Sequence, residues 1–305
     1  MTLKSGTMYS RRNRILTNYL TAVSTTLTIT IIFLYGAILT SSKGRRSIFQ
    51  ISTGNRLNIL DIDVYRDIEA RHLKADDPGL MEYVRRKFLF APTERPRNLS
   101  RNAVDYSQAG QSTLVDEILG HRTGGFFVES GAWDGETDSN SLFFEIFRNW
   151  TGILIEPDPW NFEKLSRKNR KAYTAQTCLT ASPQRIDFTF SAAPDSGAVK
   201  PLFPDIPTVG KTKILCLPIH TLLASIGVRH VDYFSLDVEG EEPAVLRSFP
   251  WDEITVDVWS VEVNQGLKNR DEKLAEIAGI FDKVGLYSNV EMVAHDVVYV
   301  RNVLL

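Results

Sequence analysis

From Ser107 onward, short unbroken apolar runs alternate with longer stretches whose apolar residues return every three or four positions. The runs at 125–129, 152–155, 213–217, 231–236 and 256–263 predict strands, and the periodic stretches at 138–147, 161–168, 221–226, 241–246 and 271–284 predict helices between them. Residues 285–289 and 297–300 read as a closing hairpin. Strands that are apolar on both faces and separated by helices belong to a parallel sheet covered on both sides. The expected fold of residues 106–305 is therefore α/β, a doubly wound, mostly parallel sheet of Rossmann-like type. Residues 186–190 alternate instead, as an exposed edge strand would. The proline- and glycine-rich stretch that follows, to residue 212, reads as a loop near the ligand edge of the sheet.

One segment breaks this pattern. No charged residue lies between Arg14 and Lys43. The stretch 20–39 is long enough to cross a bilayer as a helix, which takes about 20 residues. Its first half is rich in Thr and Ser, whose hydroxyls can bond back to the helix's own carbonyls; its second half is strongly apolar. A cleaved signal peptide has a shorter apolar core nearer the start. A signal-anchor over 15–42 behind a short tail, 1–14, is thus preferred to a cleaved signal or a buried helix. Lys4, Arg11, Arg12 and Arg14 precede the span, and Lys43, Arg45 and Arg46 follow it, a slight bias toward a cytosolic tail and a lumenal body. The sequons Asn98-Leu99-Ser100 and Asn149-Trp150-Thr151 would be usable there. Residues 43–105 read as a stem with one helix near 77–89. Asp77 can cap that helix and Pro78 suits its first turn. Leu80, Tyr83, Val84 and Phe88 give it an apolar face, expected to pack on the body.

Composition narrows the function classes. The 305 residues are 43% hydrophobic and 24% charged, an ordinary globular balance. With 35 basic and 37 acidic residues the net charge is −2, so no basic field exists to hold nucleic acid. Two cysteines, Cys178 and Cys216, are expected as core thiols, with a single disulfide as the alternative in an oxidising compartment. The five histidines show no metal-ligand spacing, and no metal site is assigned.

The chemistry concentrates where strands end. Glu129-Ser130-Gly131-Ala132-Trp133-Asp134-Gly135-Glu136-Thr137 lies where a buried strand turns toward a helix. Its glycines permit a tight turn and close backbone approach to a ligand. The next strand ends in Glu156, where an acidic residue can hold the two hydroxyls of a nucleotide ribose. Dinucleotide sites use G-x-G-x-x-G; here the pattern is G-x-x-x-G, with Trp133 at the second-glycine position. A Trp there obstructs a pyrophosphate, and two carboxylates welcome a cationic ligand, which favours S-adenosylmethionine over NAD. A third stretch, Asp232 to Glu242, ends a strand at Asp237 with Glu239 two residues on. These carboxylates could take a proton from a hydroxyl substrate, or bind a divalent cation through oxygen. Glu262 ends the following strand and is a weaker third candidate. Glu241 and Glu242 read as charges that favour the start of a helix.

The stretches GGFFVESGAWDGET, GILIEPDPWNFEKLSRKNRKA and VDYFSLDVEGEEPAVL resemble the FkbM-type methyltransferase family, over residues 124–246, and the strand at 256–263 also fits. That resemblance implies a class I methyltransferase fold and S-adenosylmethionine-dependent O-methyl transfer. It would place Glu129, Gly131, Ala132, Asp134 and Gly135 along the donor, Glu156 on its ribose, and Asp237 and Glu239 near the methyl acceptor. The tail, the span, the DDPGLMEYVRRKF helix and the segment 107–111 are similar to the Star-type proteins of insects and their arthropod relatives. Those are single-pass proteins of the secretory pathway associated with carrying growth-factor precursors from endoplasmic reticulum to Golgi. Two expectations follow. One is a membrane-anchored methyltransferase acting on a small-molecule or glycan hydroxyl. The other is a non-catalytic protein assisting transport of membrane-protein cargo from the endoplasmic reticulum to Golgi or endosome. Ser130 and Trp133 depart from the family pattern, which has a branched aliphatic and a smaller residue there.

Overall fold

The computed structural model describes residues 73–191, 208–263 and 269–305. The expected tail 1–14, the span 15–42, the stem up to residue 72 and the proline-rich loop at 192–207 lie outside the described residues. Among the described residues, no helix is long and apolar enough to cross a membrane.

Helix α1 (Pro78–Lys87) begins as expected: Asp77 accepts from the Leu80 amide at 3.0 Å, and Pro78 occupies the first turn. Strand β1 (Leu89–Phe90) and helix α2 (Gln111–Ile118) follow, then β2 (Phe126–Ser130), α3 (Leu142–Phe147), β3 (Thr151–Ile155), α4 (Pro159–Ser166) and β4 (Tyr173–Ala175). Next come β5 (Cys178–Leu179), β6 (Gln184–Ser191), β7 (Thr208–Leu217), α5 (Ile219–Ser225), β8 (His230–Leu236), α6 (Glu242–Arg247), β9 (Thr255–Glu262), α7 (Arg270–Val284), β10 (Tyr287–Val293) and β11 (Asp296–Arg301). The main sheet has the order β1-β4-β3-β2-β8-β9-β11-β10. The five strands from β4 to β9 pair in parallel, while β1, β11 and β10 each pair antiparallel with their neighbours.

Each central strand feeds two cores. Val128, Ile153 and Ile155 pack on one face with Phe234, Leu236 and Trp259. Phe127, Leu154, Tyr233 and Val258 pack on the other with Phe144, Trp150 and Phe162. That alternation explains why the strands read as continuous apolar runs. Leu80 and Val84 of α1 and Phe88 just after it are buried in the first core, and β1 pairs with β4. The end of the segment expected as a stem therefore contributes a helix and a sheet edge to the folded body.

A second sheet, β5-β7-β6, stands apart from the main one. Residues 186–190 belong to it, paired antiparallel with β7. Cys178 and Cys216 are direct partners in the parallel β5–β7 register and form a disulfide, where core thiols were expected.

Candidate functional site

Strand β2 occupies the middle of the parallel sheet: β3 and β4 extend to one side of it, β8 and β9 to the other. A crevice opens at such a switch point, outside the carboxyl ends of the strands. The segments at that rim are the turn after β2 and the tips of β3, β8 and β9.

Gly131 joins these pieces. Its φ is +89°, and a Cβ there would lie 2.3 Å from the Asp237 carbonyl oxygen. Glycine is required both for the left-handed backbone and for the approach to the β8 tip. The Gly131 and Ala132 amides donate to the Ile155 carbonyl at 3.0 and 3.1 Å, and the Asp237 amide donates to the Ser130 carbonyl at 3.0 Å. The turn is thus latched to β3 on one side and to β8 on the other.

Glu156 faces this turn. One carboxylate oxygen accepts from the Trp133 amide and the other from the Asp158 amide, both at 2.8 Å. A carboxylate has about four acceptor positions, so each oxygen keeps capacity for another donor. Burial, together with the charges of Asp158 and Glu239, pushes the group up to about 8 against the pull of the two amides. Trp133 holds a left-handed backbone, φ +46°, to aim its amide at Glu156.

Glu129 has other partners. Its oxygens accept from the Ser139 hydroxyl at 2.9 Å, the Asn140 amide at 2.8 Å and the Ser141 hydroxyl. Burial raises this carboxyl, opposed by the nearby Arg170 guanidinium. Arg170 in turn bonds Glu145 at 2.7 Å, Ser141 at 3.0 Å and the Gly135 carbonyl at 2.5 Å. Glu129 therefore fastens the far end of the loop to the sheet while Glu156 fastens its beginning.

The other expected donor residues are placed as follows. Ala132 is packed in the second core. Asp134 accepts from the Glu136 and Thr137 amides and so closes its own turn. The Cβ position of Gly135 is filled by Leu165 of α4. Gly131 and Glu156 are brought together at the crevice; Glu129, Ala132, Asp134 and Gly135 build the loop behind it.

Asp237 and Glu239 are brought together with residues that sequence reasoning ranked lower. Burial raises Asp237 well above the usual carboxylate range, reinforced by the charges of Glu262, Glu239, Glu242 and Asp296. Glu239 lies in a left-handed conformation, φ +54°, and its charge also raises Glu156, which links the two halves of the crevice. Glu262 is pushed up to about 8 by burial and by Glu239, Glu242 and Asp296. Glu242 stands in the first turn of α6 as expected, but it is fully buried there and accepts from the Val238 and Gly240 amides, each at 3.0 Å. Asp296 was not foreseen, because it sits beside Glu262 through the antiparallel β9–β11 register, a long-range pairing without a local signal.

An open sheet whose parallel strands run outward from a central β2, with a glycine turn and acidic strand ends at its switch point, defines a class I methyltransferase-like α/β fold. The sequence model of the methyltransferase FkbM domain matches residues 129–287, more than half of the chain, and the chain belongs to that family. Among solved structures, it is similar to an FkbM methyltransferase from Methylobacillus flagellatus, with 15% identity and a TM-score of 0.38, over 58% of this chain and 43% of that one. The chain thus spans less than half the length of that structure. It is also similar to Aeropyrum pernix fibrillarin in complex with natively bound S-adenosyl-L-methionine, with 14% identity and a TM-score of 0.34, over 63% of this chain and 72% of that one. No curated protein matches the chain.

Proposed function

We propose that this chain is a membrane-anchored S-adenosylmethionine-dependent methyltransferase that transfers a methyl group to an oxygen of its acceptor. The observation that carries the reading is Glu156, held at the β3 tip by two backbone amides with acceptor capacity remaining on each oxygen. That arrangement suits a ribose diol. Three buried polar atoms without a hydrogen-bond partner among the described residues, Trp133 Nε1, Asn140 Oδ1 and Asp237 Oδ1, belong to the loop after β2 and the β8 tip. Buried orphan groups are rare enough to call for an explanation, and a ligand in the crevice supplies one.

When bound, S-adenosylmethionine supplies an electrophilic sulfonium methyl. Glu156 holds the ribose, and the exposed Gly131 backbone lets the nucleoside lie against the turn. Asp237 and Glu239 would orient the acceptor hydroxyl and take its proton. Residues 20–39 anchor the chain in a membrane of the secretory pathway, with the body in the lumen.

The Cys178–Cys216 disulfide supports that orientation, since disulfides persist in oxidising compartments. It also favours a second reading. In a lumen the charged donor must first be imported, so a Star-type protein that assists transport of membrane-protein cargo and does not transfer methyl groups fits the same fold. Titration calorimetry of the purified full chain separates the two. Saturable binding of S-adenosylmethionine, weakened at least tenfold by Glu156→Gln, supports the enzyme. No binding by a folded wild-type chain supports the transport reading.

A further inference from the structure

Among the described residues, two groups of side chains have the composition of a metal site. His230, Asp232 and Asp257 form one, at the opposite ends of β8 and β9. Its carboxylates are already bridged by a cation, since Arg122 donates to Asp232 and, at 2.6 Å, to Asp257. Asp237, Glu242 and Glu262 form the other, at the candidate site.

Both groups bring one ligand atom from each residue within 4.8 Å of the others, and the second differs from the first in what else touches it. Two oxygens on one cation cannot be farther apart than twice the metal–oxygen distance, about 4.2 Å for Mg²⁺ and about 4.8 Å for Ca²⁺. Three oxygens held this near one another are within reach of a shared cation after small side-chain adjustments. Next, Asp237, one of the three, carries a buried oxygen, Oδ1, that has no hydrogen-bond partner among the described residues. An orphaned carboxylate oxygen among other carboxylates is the reverse of what burial permits, unless a cation fills the gap. Finally, Lys273 and His295 each approach one carboxylate of this group, where Arg122 bridges two carboxylates of the other. Lys273 Nζ is 3.3 Å from Glu242, and His295 Nδ1 is 3.8 Å from Glu262. Glu239 adds negative charge, as does Asp296, which accepts from Gln111 at 2.6 Å.

We propose that Asp237, Glu242 and Glu262 form a binding site for a hard divalent cation beside the methyl-donor crevice. All its ligands are oxygens, which selects Mg²⁺, Mn²⁺ or Ca²⁺ over thiophilic metals. The backbone hydrogen bonds that Glu242 accepts hold one ligand in place, while Asp237 is set by the turn contact with Gly131. The role of the site rests on the methyl-transfer reading. A cation there would bind the acceptor oxygen and lower the pKa of its hydroxyl. The substrate class is then a chelating acceptor, with two neighbouring oxygens such as a vicinal diol or hydroxy acid. Asp237 serves as a ligand, and Glu239 remains to take the proton.

The test needs no methyl donor. The purified full chain, stripped with chelator, is titrated with Mn²⁺ and followed by electron paramagnetic resonance, with Ca²⁺ and Mg²⁺ as competitors. The expected result is one saturable Mn²⁺ site per chain, displaced by Ca²⁺ or Mg²⁺ and weakened at least tenfold in Glu262→Gln and in Asp237→Asn. Thermal unfolding guards against a misfolded variant. Glu262→Gln removes like-charge repulsion, so without metal its Tm should equal or exceed that of the wild type, while the rise in Tm produced by Mn²⁺ should vanish. Absence of a saturable site, or equal binding by both folded variants, overturns the proposal. Its failure is distinct from failure of the methyl-transfer reading, which S-adenosylmethionine titration in chelator measures separately.

Discussion

At the scale of single residues, the crevice depends on positions that tolerate no substitute. Gly131→Ala sets a Cβ against the Asp237 carbonyl in a backbone conformation that disfavours side chains. The loss of stability expected is about 3 kcal/mol, read by chemical denaturation. Arg170 is buried and neutralises both Glu145 and Glu129. Arg170→Met leaves Glu129 without its neighbouring cation and Glu145 with Arg97 alone, and a loss of about 3 kcal/mol is expected in the same measurement. Glu136 supplies a pH dependence. Burial alone would raise it, but the Lys168 ammonium and the Ser100 and Arg101 amides outweigh burial and hold it at about 2. A carboxyl whose folded value lies below its unfolded one stabilises the fold above the unfolded value, near 4.5, and that stability is lost as pH falls toward 2. Glu136→Gln should therefore narrow the stability gap between pH 6 and pH 2.5, by about 3 kcal/mol, in denaturation curves at the two pH values.

At the scale of elements, the disulfide ties β5 to β7 across a separation of 38 residues. Replacing both Cys178 and Cys216 by Ser is expected to cost about 4 kcal/mol in the chain-entropy account, measured by thermal unfolding against the oxidised wild type. Such pairing also shows where sequence reading stops. The runs that became β2, β3, β8 and β9 were legible because burial on both faces leaves an unbroken apolar signature. Strand β5, with two residues, is too short to carry a period, so the pairing that sets Cys178 beside Cys216 was not legible and the disulfide stood only as the alternative. The rim carboxylates were legible for a related reason: Glu156, Asp237 and Glu262 each stand where an apolar run stops. What such a run cannot show is which way a side chain turns. Glu129 sits at the end of its strand as expected, yet its carboxylate holds the loop's own Ser139, Asn140 and Ser141. Glu242 reads as a helix-start charge because the amides it accepts from belong to the turn that its own side chain folds.

At the scale of the whole molecule, the proposed lumenal body rests on the disulfide, the apolar stretch at 20–39 and two exposed sequon asparagines, Asn98 and Asn149. Expression in secretory-competent cells should give a glycosidase-sensitive mass shift that disappears in the Asn98→Gln, Asn149→Gln double variant. A chain insensitive to glycosidase, with both cysteines reduced, would contradict the proposed lumenal body. The central claim, however, is that the β2 turn and the β3 tip together hold a methyl-donor nucleoside. It is met most directly by titrating the full chain with S-adenosylmethionine. The account predicts one saturable site per chain, weakened at least tenfold in Glu156→Gln while the fold persists. A folded wild-type chain that binds none, or a Glu156→Gln variant that binds as tightly, would contradict it.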